Sequence, residues 1–213
     1  MKKNVIISLA DANYFLLLNE LIDSIKRFKE SEQIAICILD AGLTEEQKNF
    51  IDWVINGDNF PLYFFYTDTY TDISGNNINP AFGHVLRHRP ESDEWGVPNS
   101  EHMEKFEGIF KDFCYQNDIK WNRILRSAVN FTTHQPSDSK HFIHRDHSFP
   151  HNNFLMYLNN CTGGETQFFD DEEKLIKTVY PEKFKAVISE SELHSGGYCG
   201  PHEIRVAFVV TFN

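Results

Sequence analysis

The sequence predicts an α+β protein in which a small α/β unit, residues 1–72, precedes a larger domain of short strands, residues 73–213. Between residues 4 and 68, apolar runs alternate with helical stretches, which is the pattern of a βαβαβ unit with parallel strands. From residue 124 onwards, six short strand-like segments follow one another with turn signals between them, as in a sandwich or barrel. With 41% hydrophobic residues and 19 Phe in 213 residues, the chain can build a sizeable core.

The composition argues against several classes of partner and location. A formal net charge of −11 disfavours binding to nucleic acid, which requires basic surface. No stretch approaches the roughly 20 apolar residues of a membrane span, and the opening "MKKNVIISLADANYF" reaches Asp11 too early for a signal peptide. The four cysteines contain no C-x-x-C pair. We therefore expect a cytoplasmic protein with free thiols and with neither membrane nor nucleic acid partners; the oligomeric state is not indicated.

The α/β unit is predicted from three apolar runs and the helices between them. The runs are "VIISLA", "IAICILD" and "LYFFYTD". Apolar side chains from Phe15 to Phe28 recur at helical spacing, which predicts a first helix. A second helix is predicted to begin at Thr44, because Gln47 three residues later completes a capping box.

The middle of the chain is predicted to contain a connecting segment and one helix. Residues 71–100 are rich in Gly, Pro and Asn, which predicts a linker or an ordered loop with His84 and His88 at the surface. Further on, Met103, Phe106 and Phe110 recur on one helical face, with Phe113 continuing the stripe. This stripe predicts a helix that covers a sheet.

The strand-rich part is predicted from short apolar segments and a glycine-rich turn. The turn is "NNCTGG" at residues 159–164. The predicted strands are "ILRSAVNFTT", "HFIHRDH", "FLMYLNN", "TQFFD", "FKAVIS" and "IRVAFVVTF".

A candidate metal site is indicated by the second of these segments. On a strand, His144 and Asp146 share one face, whereas His141 and His147 lie on the other. A further histidine, His194, follows an apolar strand. Two histidines and one carboxylate leave coordination positions open, which suits non-heme Fe(II) oxygenases.

An arginine at the start of the last strand indicates an anionic ligand. Arg205 begins the apolar segment "RVAFVVTF". An inward charge on such a strand needs a partner, since burying it alone is costly, and the planar guanidinium binds a carboxylate with two hydrogen bonds.

Residues 126–213 resemble the Fe(II)- and 2-oxoglutarate-dependent dioxygenases, in particular their prolyl 4-hydroxylase-like branch. The resemblance rests on the ordered motifs "HRD", "FLMYLNNCTGGETQFF", "YPEKFKAVI" and "LHSGGYCGPHEIRVAFVVTFN". It implies that His144, Asp146 and His194 bind the metal and that Arg205 pairs with the distal carboxylate of 2-oxoglutarate. The secondary candidates for lining the co-substrate pocket are Asn130, Thr132, Tyr157 and Thr166.

The resemblance also implies a fold and a reaction. The fold would be a double-stranded β-helix, a cupin-like jelly roll buttressed by the Phe-rich helix. The reaction would hydroxylate a C–H bond with O2 and release succinate and CO2 from 2-oxoglutarate, with ascorbate in support. Prolyl hydroxylases commonly have lysine where this chain has Arg205, and "AVNFTTHQPSDSK" replaces their tyrosine-rich approach to the metal motif. The primary substrate, whether a protein or peptide side chain or another molecule, is not specified.

Other interpretations stay open. The first 70 or so residues resemble the beginning of nucleotide-sugar glycosyltransferases through "SLADANYFLLLNELIDSI" and "ILDAGLTEEQ", although "YTDTYTD" lacks their Asp-x-Asp. A sugar-related role of this unit is therefore one alternative. A catalytically inactive cupin-like binding or assembly protein is another. If the chain is an enzyme, residues 71–100 and "SFPHNN" are predicted to shape substrate specificity.

Overall fold

The structure is a computed structural model that describes residues 4–10, 34–40, 43–57, 59–65, 81–135 and 143–213. This part of the chain contains two helices, α1 (Glu45–Asn56) and α2 (Met103–Gln116). Its strands are β1 (Asn4–Ala10), β2 (Ile34–Asp40), β3 (Tyr63–Phe65), β4 (Ala81–His88), β5 (Val97–Pro98), β6 (Ile124–Thr133), β7 (Asn152–Tyr157), β8 (Thr166–Phe169), β9 (Leu175–Val179), β10 (Ala186–Glu190), β11 (Leu193–Gly196) and β12 (Ile204–Phe212).

Most strands form two antiparallel sheets. The major sheet has the strand order β10-β7-β12-β6-β4-β3, with β5 paired to β4. The minor sheet has the order β11-β8-β9. β1 and β2 form a separate parallel pair. The described chain is thus mainly β-structure with few helices.

The outer face of the major sheet is packed against α2. Successive side chains on a strand alternate between faces, so Phe208 and Phe212 on β12 point the same way. Phe208 lies 5.0 Å from Phe106, and Phe212 lies 4.9 Å from Phe110, between ring centroids. All four side chains are fully buried. The predicted helix with its phenylalanine stripe is therefore present and covers a sheet.

Helix α1 contributes to the same core. It begins at Thr44 with the predicted capping box, since Thr44 Oγ1 accepts from the Gln47 backbone and the Gln47 side chain accepts from Thr44. Ile51 and Val54 on its apolar face are buried in the cluster that contains the α2 phenylalanines. Helix α1 therefore packs against the strand-rich part of the chain.

The inner face of the major sheet carries the side chains that alternate with those phenylalanines. Directly paired residues of antiparallel strands point to the same face. The register pairs Thr211 with Asn153 and Arg126, and it pairs Arg205 with Thr132. These side chains therefore share the inner face, which meets the minor sheet through Tyr157 and Thr166.

Three predictions about residues 62–88 are wrong. Residues 81–88, expected in a linker or an ordered loop, form β4 in the major sheet, where Val85 pairs with Ala128 and Leu86 is fully buried despite the surrounding polar residues. His84 is buried rather than at the surface; it hydrogen-bonds with the Pro61 carbonyl and Ser100 Oγ. The third apolar run was expected in a parallel unit, but β3 pairs antiparallel with β4.

The predicted strand "HFIHRDH" is not formed by its described residues. His144 makes a single isolated bridge, and a bend follows at Asp146. The predicted helix between Phe15 and Phe28, as well as His141, lie outside the described residues. Neither described helix is long and apolar enough to cross a membrane.

Candidate metal centre

The three predicted ligands lie together at one end of the space between the sheets. One ligand atom from each of His144, Asp146 and His194 lies within 4.8 Å of the other two. His194 Nε2 is 3.4 Å from Asp146 Oδ2, and the two imidazole centroids are 4.5 Å apart. Ligands about 2.0 to 2.2 Å from one ion would be similarly crowded. Small side-chain rotations would therefore let one ion bind all three groups.

A backbone pairing brings the two histidines to the same place. His144 N donates to His194 O, and His194 N donates to His144 O, both over 2.9 Å. Residues that exchange both hydrogen bonds lie directly opposite each other, with their side chains on one face. The last strand of the minor sheet, β11, thus carries His194 to a segment that lies 50 residues earlier in the chain.

Two arginines orient the carboxylate of Asp146. Arg89 Nη2 donates to Asp146 Oδ1 over 3.2 Å, and Arg126 Nη1 is 4.0 Å from the same oxygen. Burial alone would raise the pKa of Asp146, but its interactions with the nearby imidazoles and with the charges of Arg126 and Arg89 together outweigh burial and lower it. Asp146 is therefore ionised at neutral pH, with Oδ2 directed at His194.

The imidazole of His194 is held in the form that a metal ligand requires. Its Nδ1 lies 3.1 Å from the Glu192 carbonyl, so Nδ1 carries the proton and Nε2 has a free lone pair. Burial lowers the pKa of His194, although Asp146 opposes this change. Neutral His194 beside ionised Asp146 is an arrangement suited to a divalent cation.

The neighbouring histidines lie behind this centre. His147 is buried, and its Nε2 hydrogen-bonds with Thr211 Oγ1 at 2.8 Å. Burial, with the positive charge of Arg89, lowers the pKa of His147 to about 4. His151 is also buried, with Nδ1 2.8 Å from the Phe149 carbonyl. Both therefore support the structure around the centre and are not among the grouped ligands.

Arg205 lies in a buried polar cluster on the inner face. It is 6% exposed, its Nη2 donates to Thr166 Oγ1 over 3.1 Å, and its guanidinium lies 5.3 Å from the centroid of the Tyr157 ring. The Tyr157 hydroxyl hydrogen-bonds with Thr166 Oγ1 at 2.7 Å. Arg205 Nε has no partner, and no carboxylate of the described residues forms an ion pair with Arg205. A buried cation of this kind is suited to an anionic ligand.

The backbone around Arg205 is shaped to admit its side chain. Asn159 brackets it, because the Asn159 amide donates to the Ile204 carbonyl and accepts from the Val206 N–H. Gly164 has a φ of +64°, and a Cβ there would lie 3.1 Å from Arg205 Cδ. The predicted glycine-rich turn thus combines a left-handed backbone with room for the arginine.

Two cavities meet at Asp146. The inner cavity lies between the sheets, and its lining includes Asp146 and His194 at one end and Thr166, the hydrogen-bond partner of Arg205, elsewhere. The outer cleft, of about 610 Å³, opens beside Asp146 and is lined by Arg89, Pro90, Glu91, Arg145, His147, Ser148, Phe149 and Leu193. These residues include parts of both segments predicted to shape specificity.

The remaining predicted residues lie on the same inner face. Asn130 and Thr132 share it with Arg126, because they alternate along β6. Their roles stay predictions. The sequence analysis did not identify Arg89 and Arg126, which reach Asp146 from 57 and 20 residues away in the chain. It also did not identify Asn153, which lines the inner cavity. Asn159 lies in the motif "FLMYLNNCTGGETQFF", on which the resemblance rests, but it was not predicted to contact the strand of Arg205.

The arrangement of the sheets is shared with the 2OG-Fe(II) oxygenase fold. The chain is similar to the crystal structure of an oxidoreductase of that family from Burkholderia pseudomallei, with a TM-score of 0.55 and 13% identity over 72% of this chain and 73% of that chain. A prolyl-4-hydroxylase from Pseudomonas putida gives a TM-score of 0.39 and 12% identity, over 62% and 72% of the chains. A prolyl 4-hydroxylase from Phytophthora capsici gives 0.37 and 17%, over 53% and 40%.

The sequence comparisons give no match. No protein-family model and no curated protein matches the chain. The fold similarity to the oxidoreductase from Burkholderia pseudomallei agrees with the predicted resemblance of the second half to oxygenases. None of the structures named above supports the predicted resemblance of the first 70 residues to glycosyltransferases.

Proposed function

We propose that this protein is an Fe(II)- and 2-oxoglutarate-dependent dioxygenase that hydroxylates a C–H bond of its substrate. One observation carries the proposal: the inner cavity is lined by Asp146 and His194 and also by Thr166, which accepts a hydrogen bond from the buried Arg205, and no carboxylate of the described residues forms an ion pair with that arginine. The two polar ends are separated by apolar wall residues, among them Leu155, Val187 and Val209. This order of polar, apolar and polar groups matches that of a short dicarboxylate, and the cavity, of about 40 Å³, would have to widen to admit one.

The residues present fit the proposed metal and co-substrate. Two histidines and one carboxylate form the donor set of the non-heme Fe(II) oxygenases. Bound Fe(II) with 2-oxoglutarate would supply the oxidising power for the hydroxylation, with succinate and CO2 as products of the co-substrate. His144, Asp146 and His194 would hold the metal, and Arg205 would bind the distal carboxylate while Tyr157 and Thr166 fix the guanidinium.

The primary substrate is proposed to bind in the outer cleft. Asp146 lines both this cleft and the inner cavity, so a molecule bound in the cleft would lie close to the metal. Phe149 and Leu193 give it an apolar part, and Arg89, Glu91 and Arg145 give it polar groups. A protein or peptide side chain would have access to this open site.

The proposed function divides the chain into a catalytic region and a preceding region. Residues 73–213 would form the catalytic double-stranded β-helix, and residues 1–72 an α/β unit whose last strand, β3, joins the edge of the major sheet. The packing of Ile51 and Val54 beneath α2 supports a role for this unit in supporting the catalytic domain.

Replacing Arg205 by alanine is expected to weaken 2-oxoglutarate binding about 100-fold, because the distal carboxylate loses a buried charged partner. The measurement is an anaerobic titration of Fe(II)-loaded protein with 2-oxoglutarate, followed by the visible charge-transfer band of the chelated keto acid. The wild-type protein should show the band and saturate.

The control variant is Arg123→Ala, since Arg123 lies near the surface beside Asp93. It should bind 2-oxoglutarate like the wild type. Absence of the band in wild-type protein with bound iron would overturn the proposal and favour a non-catalytic binding protein. Equal saturation by wild type and Arg205→Ala would overturn the role of Arg205.

A further inference from the structure

The inner cavity contains one amide whose hydrogen-bonding groups are all unused. Both Nδ2 and Oδ1 of Asn153 are buried, and neither has a hydrogen-bond partner among the described residues. Unpaired buried amides are rare in folded proteins because they lose their hydrogen bonds to water without replacement. The neighbouring inner-face residue on β12, Thr211, already hydrogen-bonds with His147. The amide of Asn153 could therefore hydrogen-bond with a ligand in the cavity.

The position of Asn153 indicates which part of a ligand it contacts. The same cavity is lined by Asn153, Asp146 and His194, whereas Tyr157, four residues further along β7, belongs to the Arg205 cluster. Alternation places Asn153, Leu155 and Tyr157 in a row on the inner face, with apolar Leu155 between the two polar residues. Asn153 thus marks the metal end of the row, and Tyr157 marks the arginine end.

We infer that Asn153 is a positioning residue for the metal-binding end of the co-substrate, an inference that rests on the proposed function. Its Nδ2 donates a hydrogen bond to an oxygen of the 2-oxo carboxylate group. This contact would orient the keto and carboxylate oxygens of the co-substrate towards the metal, while Arg205 holds its distal carboxylate. The outer cleft does not include Asn153, which favours the co-substrate over the primary substrate.

The test compares two 2-oxo acids in anaerobic titrations of Fe(II)-loaded protein. 2-Oxoglutarate has both ends, whereas 2-oxobutyrate keeps the chelating end and lacks the distal carboxylate. Asn153→Leu should raise the half-saturating concentration of both acids about tenfold. Arg205→Ala should affect 2-oxoglutarate strongly and 2-oxobutyrate by less than about twofold. Asn152→Leu is the matched control, because Asn152 lies on the opposite face of β7.

Thermal unfolding of the metal-free protein provides a second readout. Asn153→Leu should leave the unfolding temperature unchanged or raise it, because it removes two buried groups that lack partners. Asn153→Ala removes the same groups without added bulk, and it should weaken binding of both acids as well.

Three outcomes separate the inference from the proposed function. If wild type gives the band but both Asn153 variants bind the two acids normally, the inference is overturned and the function stands. If the variants lower the unfolding temperature and leave binding unchanged, the amide is structural, which also overturns it. If wild type with bound iron gives no band with either acid, the proposed function itself fails.

Discussion

Replacing Asp146 by alanine is expected to weaken Fe(II) binding by more than about 100-fold and to remove all 2-oxoglutarate turnover. Loss of a supporting residue around a metal site already costs about 10- to 100-fold in affinity, and Asp146 is proposed as a direct ligand. It is the carboxylate of the grouped donor set, and its negative charge offsets the nearby Arg89 and Arg126. Without it, two arginines and two imidazoles would face an incoming cation.

Calorimetric titration of metal-free protein with Fe(II) under anaerobic conditions measures this effect. Asp52→Ala is a suitable control, because Asp52 forms a half-exposed ion pair with Lys183, and such pairs contribute little. Its metal affinity and turnover should match those of wild type. If Asp146→Ala bound iron as tightly as wild type and kept its biological function, the non-catalytic binding protein would be the better explanation.

The three grouped residues could be singled out because they lie in short motifs of recognisable chemistry. His144 and Asp146 lie two residues apart, and His194 and Arg205 follow in a recognisable order. Strand alternation was the predicted reason for the proximity of His144 and Asp146, whereas His194 was added from the resemblance. The structure does bring the three side chains together, but through an isolated bridge between His144 and His194 and not through a strand.

The supporting residues could not be predicted, because nothing local marks them. Arg89 lies in a polar stretch that was interpreted as a linker, and its partner Asp146 is 57 residues away. Asn153 is the second residue of β7 and one of several asparagines in the chain. Only the register of β7 with β12 and the cavity between the sheets show that its amide faces inward, without a hydrogen-bond partner among the described residues.

For the fold, too, elements marked by their own residues were predicted, and elements that depend on distant partners were not. The spans of β6 and β12 agree with the predicted segments to the residue, since each is a long segment rich in strand-forming residues. β4 was missed because Gly83, His84 and Arg87 interrupt its apolar residues. Those residues are accommodated by partners from other parts of the chain, including Glu107 on α2.

Replacement of Glu107, the partner of Arg87, is the second change with a large expected effect, and this effect is on the stability of the fold. Glu107 is 1% exposed, and its carboxylate accepts two hydrogen bonds from Arg87, over 2.8 and 2.9 Å, and one from Ser127 Oγ over 2.9 Å. A register shift after Val85 turns Arg87 towards α2. This ion pair therefore joins the helix to the outer face of the major sheet.

Glu107→Ala is expected to lower the free energy of unfolding by about 3 to 5 kcal/mol, because it leaves the guanidinium of Arg87 buried without its counter-charge. Urea unfolding followed by tryptophan fluorescence measures the loss as a lower midpoint. Glu104→Ala is the control on the same helix, where Glu104 is exposed, and should change stability by less than about 0.5 kcal/mol.

The double variant Arg87→Met with Glu107→Leu separates a buried-charge effect from a simple loss of packing. Apolar replacements of a buried pair are often neutral or stabilising, because neither charge must then be removed from water. We expect the double variant to recover most of the stability that Glu107→Ala loses. If it were no more stable than Glu107→Ala, the network of Arg87, Glu107 and Ser127 would be required for the packing of α2 on the sheet, and the unpaired charge would not be the main cost.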